Sequence, residues 1–183
     1  KADLLIEFAE HYLLYSIPWE EAMKTKRIKY LCLSGMTRDM MVRCIGKVNT
    51  PSLLLFQEKL TELARKAKKV RVTNPSGTDI TFSNDSLRPY FSEGVIGDRP
   101  IDYMLIGQVD WAPVELSLNG KIVFDGSVWP PEELGILRTP ISLKIVDGLV
   151  KVIAGGPDAF YYRRWLESLN DPAMFNIAHI SFG

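Results

Sequence analysis

VRVTNPSGTDITF, Val70 to Phe82, is the stretch whose reading decides the fold. Val70, Val72 and Thr73 are β-branched and lie in an alternating run. Asn74-Pro75-Ser76-Gly77 then places four turn-forming residues in a row, and Ile80-Thr81-Phe82 resumes a strand. The pattern predicts strand, tight loop, strand, with Thr78 and Asp79 at the loop's mouth. Two readings follow. In the plain one, Thr78 and Asp79 bond local backbone N–H groups of a hairpin. In the other, the loop lines a site where two modules join, and Thr78 and Asp79 meet the substrate.

Outward from this loop the two sides differ. Before it, apolar DLLIEF (3–8) suits a buried strand and PWEEAMKTK a helix opened by Pro18. IKYLCL (28–33) reads as a second strand, and Thr37 as the N-cap of TRDMMVRCI. Thr50 caps the longest helix, whose Leu53, Phe56, Leu60, Leu63, Ala64 and Ala67 recur at spacings of three and four as one buried face. Strand, helix, strand, helix, strand is the order of parallel α/β structure.

After the loop, residues 83–100 form a polar connection. Met104-Leu105-Ile106 and 109–118 read as strands. Asn119-Gly120 and Asp147-Gly148 both carry the two-residue hairpin signal. DAFYYRRWLESLN is a helix with Ala159, Tyr162, Trp165, Leu166 and Leu169 on one face, and 177–182 a last strand. The expected fold class is therefore mixed: a parallel-type α/β module over 1–83, then a β-rich α+β module over 84–183 with hairpins and a helix.

Composition narrows the function classes. The 183 residues carry 22 Lys+Arg and 22 Asp+Glu, so no basic excess points to nucleic acid or an anionic membrane surface. No apolar run approaches the ~20 residues of a spanning helix. Cys32 and Cys44 are the only cysteines and form no disulfide framework, which suits a reducing, cytoplasmic setting. Lys1 is not an initiator methionine, and an apolar run reaches to Gly183. The expectation is a piece excised from a longer protein.

Nucleophile-elbow, phosphate-loop and dinucleotide motifs are absent. His11 reads as a partly buried histidine bonding a carbonyl. His179, in IAHISFG, alternates with Ile177 and Ser181, and reads either as a core residue or as a metal ligand. No HxH, HxxxH or HxxE surrounds it to complete a site. Glu93, on a loop beside Tyr90-Phe91, is the acid–base candidate, with a plain exposed glutamate as the alternative.

Taken in order, VTNPSGTDITF, GQVDWAPVELSLNGKIVFDGSV, LGILRTPISLKIVDGLVKVIAGG and IAHISFG resemble the aminopeptidase T superfamily. That group holds metallo-aminopeptidases and 2,5-dihydroxypyridine 5,6-dioxygenases. The resemblance is most specific from Val70 onward. His179 stands where the peptidase branch carries a glutamate ligand, and matches the dioxygenase branch's histidine. The resemblance therefore implies an Fe(II)-dependent ring-cleaving dioxygenase of dihydroxypyridine-type substrates, with His179 as one of a two-histidine, one-carboxylate set. The remaining ligands, a His-x-Asp pair, are expected beyond Gly183, so the piece alone is expected to be inactive. Glu93 is the nearest match to the family's upstream glutamate. The alternatives are part of a zinc or cobalt aminopeptidase, and a non-catalytic relative serving as an assembly module. The resemblance also implies a small-molecule substrate and a homo-oligomer.

Overall fold

The computed structural model describes residues 2–92, 94 and 96–183. In chain order it contains β1 (Leu4–Glu7), α1 (Ile17–Lys24), β2 (Lys29–Cys32) and α2 (Arg38–Met41), which runs on as a π turn over Val42–Gly46. Next come α3 (Thr50–Lys66), β3 (Lys69–Thr73), β4 (Asp79–Ser83), β5 (Tyr90–Ser92), β6 (Asp102–Tyr103) and β7 (Val109–Trp111). A 3-10 turn at Glu115–Ser117 precedes β8 (Asn119–Phe124), β9 (Ser127–Val128), β10 (Gly135–Ile136), β11 (Ile141–Val146) and β12 (Leu149–Gly155). The chain closes with α4 (Pro157–Ser168), a 3-10 turn at Pro172–Phe175, and β13 (Ile180–Phe182). This is the mixed class expected: a parallel sheet with helices, and a larger antiparallel sheet.

The chain forms two compact units that interleave along the sequence. One holds residues 1–63, 90–110 and 181–183; the other holds 64–89 and 111–180. The sequence reading placed a single break after residue 83. The reason for the difference is the pairing of β4. Its Asp79, Ile80 and Thr81 lie opposite Lys121, Gly120 and Asn119 of β8, which draws the Val70–Phe82 hairpin into the later sheet.

In the first unit β1, β2 and β6 form a parallel sheet in the order β1-β2-β6. Its core is Leu14, Tyr30 and Cys32, with Trp19, Met23 and Met104 against them. Ser16 caps α1, its hydroxyl accepting the Trp19 N–H at 3.4 Å. Thr37 caps α2 as expected, accepting from Met40 N at 3.3 Å. At α3 the cap is Asn49, whose Oδ1 accepts from Ser52 N at 3.0 Å, in place of Thr50. The expected face of α3 is also turned. Ala64 is buried as expected, but Phe56 and Leu63 are exposed and Gln57 is buried in their stead. Gln57 is drawn inward because its amide satisfies backbone groups near Gly107.

In the second unit five antiparallel strands run in the order β12-β11-β8-β4-β3. The Val70–Phe82 hairpin is as read: Val70 faces Phe82 and Val72 faces Ile80. Alternation puts Ile80 and Phe82, then Ile141, Leu143 and Ile145, into the core. The α4 helix packs on β12 and β11, burying Ala159 and Leu166. Asp147-Gly148 is the expected hairpin turn, with φ of 50° and 72°, joining Val146 to its partner Leu149.

Asn119-Gly120 is not a hairpin. The segment before it is a 3-10 turn, and both residues lie inside β8. Glycine is needed here for close approach: a Cβ on Gly120 would sit 2.2 Å from the Asp79 carbonyl oxygen on β4. Met104-Leu105-Ile106 is likewise not a strand; β6 ends at Tyr103. The DLLIEF strand is shorter than read and inverted in burial. Leu4, Leu5, Ile6 and Phe8 are 40–48% exposed, whereas Glu7 is 3% exposed. Glu7 is held inside by donors from Tyr30 and Leu13.

Candidate functional site

The last strand begins one residue after His179, so His179 lies in an extended segment at the mouth of β13 rather than within the strand. The alternation used to assign its face does not apply there. Its side chain is exposed, and among the described residues its ring has no hydrogen-bond partner. It is therefore not a satisfied core histidine. A free neutral imidazole offers a nitrogen lone pair, the donor that Fe(II) or Zn(II) takes from histidine. Among the described residues no group of three or more His, Cys, Asp and Glu side chains is gathered to hold a metal. His179 fits a metal as one donor of a larger set, not as a site by itself.

Thr78 and Asp79 sit at the start of β4, each with partners in the second unit. The Thr78 N–H donates to Asn74 Oδ1 at 2.9 Å, closing the turn. Its hydroxyl bonds both backbone groups of Val123: it accepts from Val123 N at 2.9 Å and donates to Val123 O at 3.3 Å. Asp79 forms a bidentate pair with Arg71 across the hairpin, both bonds 2.8 Å. The Arg71 hydrogen bonds hold the Asp79 carboxyl below its ordinary pKa. Among the described residues neither Thr78 nor Asp79 hydrogen-bonds to His179. Glu93 lies outside the described residues. His11 is exposed, against the partly buried placement expected of it.

The structure adds three features that sequence reasoning did not single out. Glu7, at the carboxyl end of β1, is a buried carboxyl; the Tyr30 hydroxyl donates to Oε2, Leu13 N donates to Oε1 at 2.6 Å, and the Cys32 thiol lies 3.8 Å from Oε2. Burial, foremost, together with the charge and hydrogen bond of Glu7, pushes the Cys32 thiol up. One signal in the chain was the acid inside an apolar run. Arg88 forms a fork on Glu115, with two bonds of 2.8 Å, and also donates to the Pro113 carbonyl at 2.7 Å. Finally, a cleft of about 430 Å³ in the second unit is lined by Phe124, Val128, Trp129, Tyr162, Trp165 and Met174, among others, with Tyr162 and Trp165 stacked at 6.0 Å. The helix periodicity of α4 brought those two rings to one face, and the sequence reading assigned that face to the core.

A family model described as 2,5-dihydroxypyridine 5,6-dioxygenase (NicX) matches residues 1–183. The chain is 27% identical over 185 residues to the 2,5-dihydroxypyridine 5,6-dioxygenase of Pseudomonas putida KT2440, covering all of this chain and 50% of that protein. The solved structure of the 2,5-dihydroxypyridine dioxygenase from Pseudomonas putida KT2440 superposes with a TM-score of 0.75 at 25% identity, over 100% of this chain and 51% of the other. AmpT of Thermus thermophilus superposes with a TM-score of 0.56 at 14% identity, over 97% of this chain and 54% of its own, a likeness of fold alone. The chain thus spans about half the length of the relatives it matches. With the match running from the first residue to the last, the chain belongs to the 2,5-dihydroxypyridine 5,6-dioxygenase family.

Proposed function

We propose that this chain is part of an iron-dependent dioxygenase that opens the ring of a dihydroxypyridine-type substrate, with His179 as one of the metal's ligands. The observation that carries the reading is the exposed, unengaged imidazole of His179 in a chain matched over its full length by the dioxygenase family. Iron in such a site supplies the redox chemistry by which O₂ enters the ring. His179 contributes a neutral nitrogen donor from a short segment anchored by β13. The other donors are assigned to polypeptide outside these residues, which hold no further cluster among those described.

Of the hairpin pair, Asp79 has the greater reach. Its side chain is about half exposed at the Arg71 pair, so a polar substrate group can compete for it. Thr78 acts by holding the loop against β8. Glu93 stays the acid–base candidate on sequence grounds. We also assign the protein to the cytoplasm, on two cysteines that form no disulfide framework, and to a homo-oligomer, on the family resemblance; sedimentation showing only monomer at micromolar concentration would count against the second.

The test is His179→Ala in the complete protein encoded by the gene. Iron per chain, measured by mass spectrometry, should fall to near zero while the circular dichroism spectrum is unchanged. Oxygen uptake with 2,5-dihydroxypyridine should be lost with it. Wild-type iron content in the variant overturns the ligand assignment. Zinc in place of iron in the wild-type protein overturns the dioxygenase reading.

A further inference from the structure

The edge of the parallel sheet in the first unit is unfinished. β1 pairs with β2 alone, on one side. The carbonyls of Asp3, Glu7 and Ala9 accept from Lys29, Leu33 and Gly35 N–H at 3.0, 2.9 and 2.8 Å. Backbone groups alternate in direction along a strand, so those of Leu4, Ile6 and Phe8 point away from β2. Two devices that discourage edge pairing are present: the strand is only four residues long, and its one charge, Glu7, is turned inward. The outward edge itself carries no proline, no lysine and no bulge. Leu4 and Ile6 on one face and Leu5 on the other are all 40–43% exposed. Parallel strands are ordinarily covered on both faces and flanked by further strands. The face of Leu5 and buried Glu7 is partly covered by Leu13 and Trp19, but an apolar parallel strand left open on its edge and on its Leu4/Ile6 face is the interior of a sheet, not its rim.

Resting on the family-length reading above, we propose that the free edge of β1 receives a further β-strand, contributed by polypeptide of the same protein outside these 183 residues. The relatives carry about as much chain again as is present here, enough for a strand and the layer that would cover Leu4, Leu5 and Ile6. The strand is recognised by main-chain pairing to Leu4, Ile6 and Phe8 and by apolar side chains over the exposed faces.

The test uses the complete open reading frame that encodes these residues. Residue-resolved hydrogen exchange should find the Leu4, Ile6 and Phe8 amides as protected as those of Leu5 and Glu7, at every protein concentration. Ile6→Pro deletes an outward N–H and Leu5→Pro an inward one; with the edge occupied, both should lower the melting temperature by a similar amount, while Ile6→Val should not. Free exchange at Leu4, Ile6 and Phe8, or tolerance of Ile6→Pro beside a damaging Leu5→Pro, overturns the proposal. Protection that appears only as concentration rises means that a second copy pairs there, and overturns it too. Exchange in the wild-type protein needs no variant to fold. Iron content of the same sample reports separately on His179, so either reading can fail without the other.

Discussion

Thr78 and Val123 exchange two hydrogen bonds through a single side-chain oxygen, which accepts from Val123 N at 2.9 Å and donates to Val123 O at 3.3 Å. The β4–β8 ladder has its last paired residue at Asp79 opposite Lys121. The Thr78 hydroxyl continues the pairing past that end, standing in for a peptide group. Thr78 is 8% exposed and Val123 is 8% exposed, so water cannot readily replace it. Thr78→Val keeps the shape and removes the oxygen, leaving two buried backbone groups unmatched. The expected cost is about 1–3 kcal/mol in urea unfolding, with Thr78→Ser close to wild type. Equal stability of the valine and serine variants would contradict this role.

Gln57 presents a similar case in the first unit. It is 1% exposed on α3, with Nε2 donating to Gln108 O at 2.9 Å and to Ser92 Oγ at 3.3 Å, and Oε1 accepting from Gly107 N at 3.1 Å. One amide thus ties a helix to two separate chain segments. Gln57→Leu should destabilise by roughly 1–2 kcal/mol, because it strands a half-buried N–H and a half-buried C=O together. Hydrogen exchange at Gly107 should accelerate in that variant even under conditions where the rest of the unit holds.

The Arg88 fork depresses the Glu115 carboxyl from its usual 4.5 to about 2, the Arg88 hydrogen bonds being the main cause. The sign follows from linkage. A carboxyl with a lowered folded pKa adds stability above its unfolded value, and loses it as pH falls through the folded one. The contribution is therefore complete above about pH 4.5 and fades toward pH 2. Glu115 is well exposed, so solvent and salt keep the effect modest. Arg88→Met should shrink the stability lost between pH 4.5 and 2, and raise the Glu115 titration midpoint seen by carbon NMR. An unchanged midpoint would rule out Arg88 as the cause.

Local chemistry was legible where it acts over a few residues. The Val70–Phe82 hairpin, the Asp147-Gly148 turn, the Thr37 cap and the Ala159/Leu166 face of α4 each follow from neighbours in sequence. The failures at Asn119-Gly120 and on α3 share one cause, a partner distant in the chain. Asn119-Gly120 has the residues of a hairpin turn, but Gly120 is selected by the Asp79 carbonyl that crosses it. Gln57 and Phe56 exchange places on α3 because backbone groups at 107–108 demand an amide. DLLIEF read as buried because it is apolar, yet β1 is an edge strand whose Leu4, Leu5 and Ile6 stay 40–43% exposed. His179 was legible as a candidate through the family resemblance, yet its strand placement was off by one element end. Its expected co-ligands have no local signature in this stretch.

The pair with most riding on it in the first unit is Glu7 and Tyr30. They are 3% and 1% exposed, on adjacent parallel strands, and the Tyr30 hydroxyl donates to the Glu7 carboxyl. The other carboxyl oxygen holds Leu13 N–H at 2.6 Å, which fixes the segment between β1 and α1. A buried carboxyl without its donors is costly, so each partner should matter chiefly through the other. Tyr30→Phe should destabilise by about 1–3 kcal/mol, since it leaves the carboxyl short of a donor while keeping the ring packed. In a Glu7→Gln background the same change should cost less, giving a coupling of roughly 1 kcal/mol in a double-mutant cycle. Hydrogen exchange at Leu13 should quicken in Glu7→Ala, where both oxygens are gone. Strictly additive losses in the cycle would mean that the two side chains act only by packing, and that the carboxyl's place inside the sheet has some other cause.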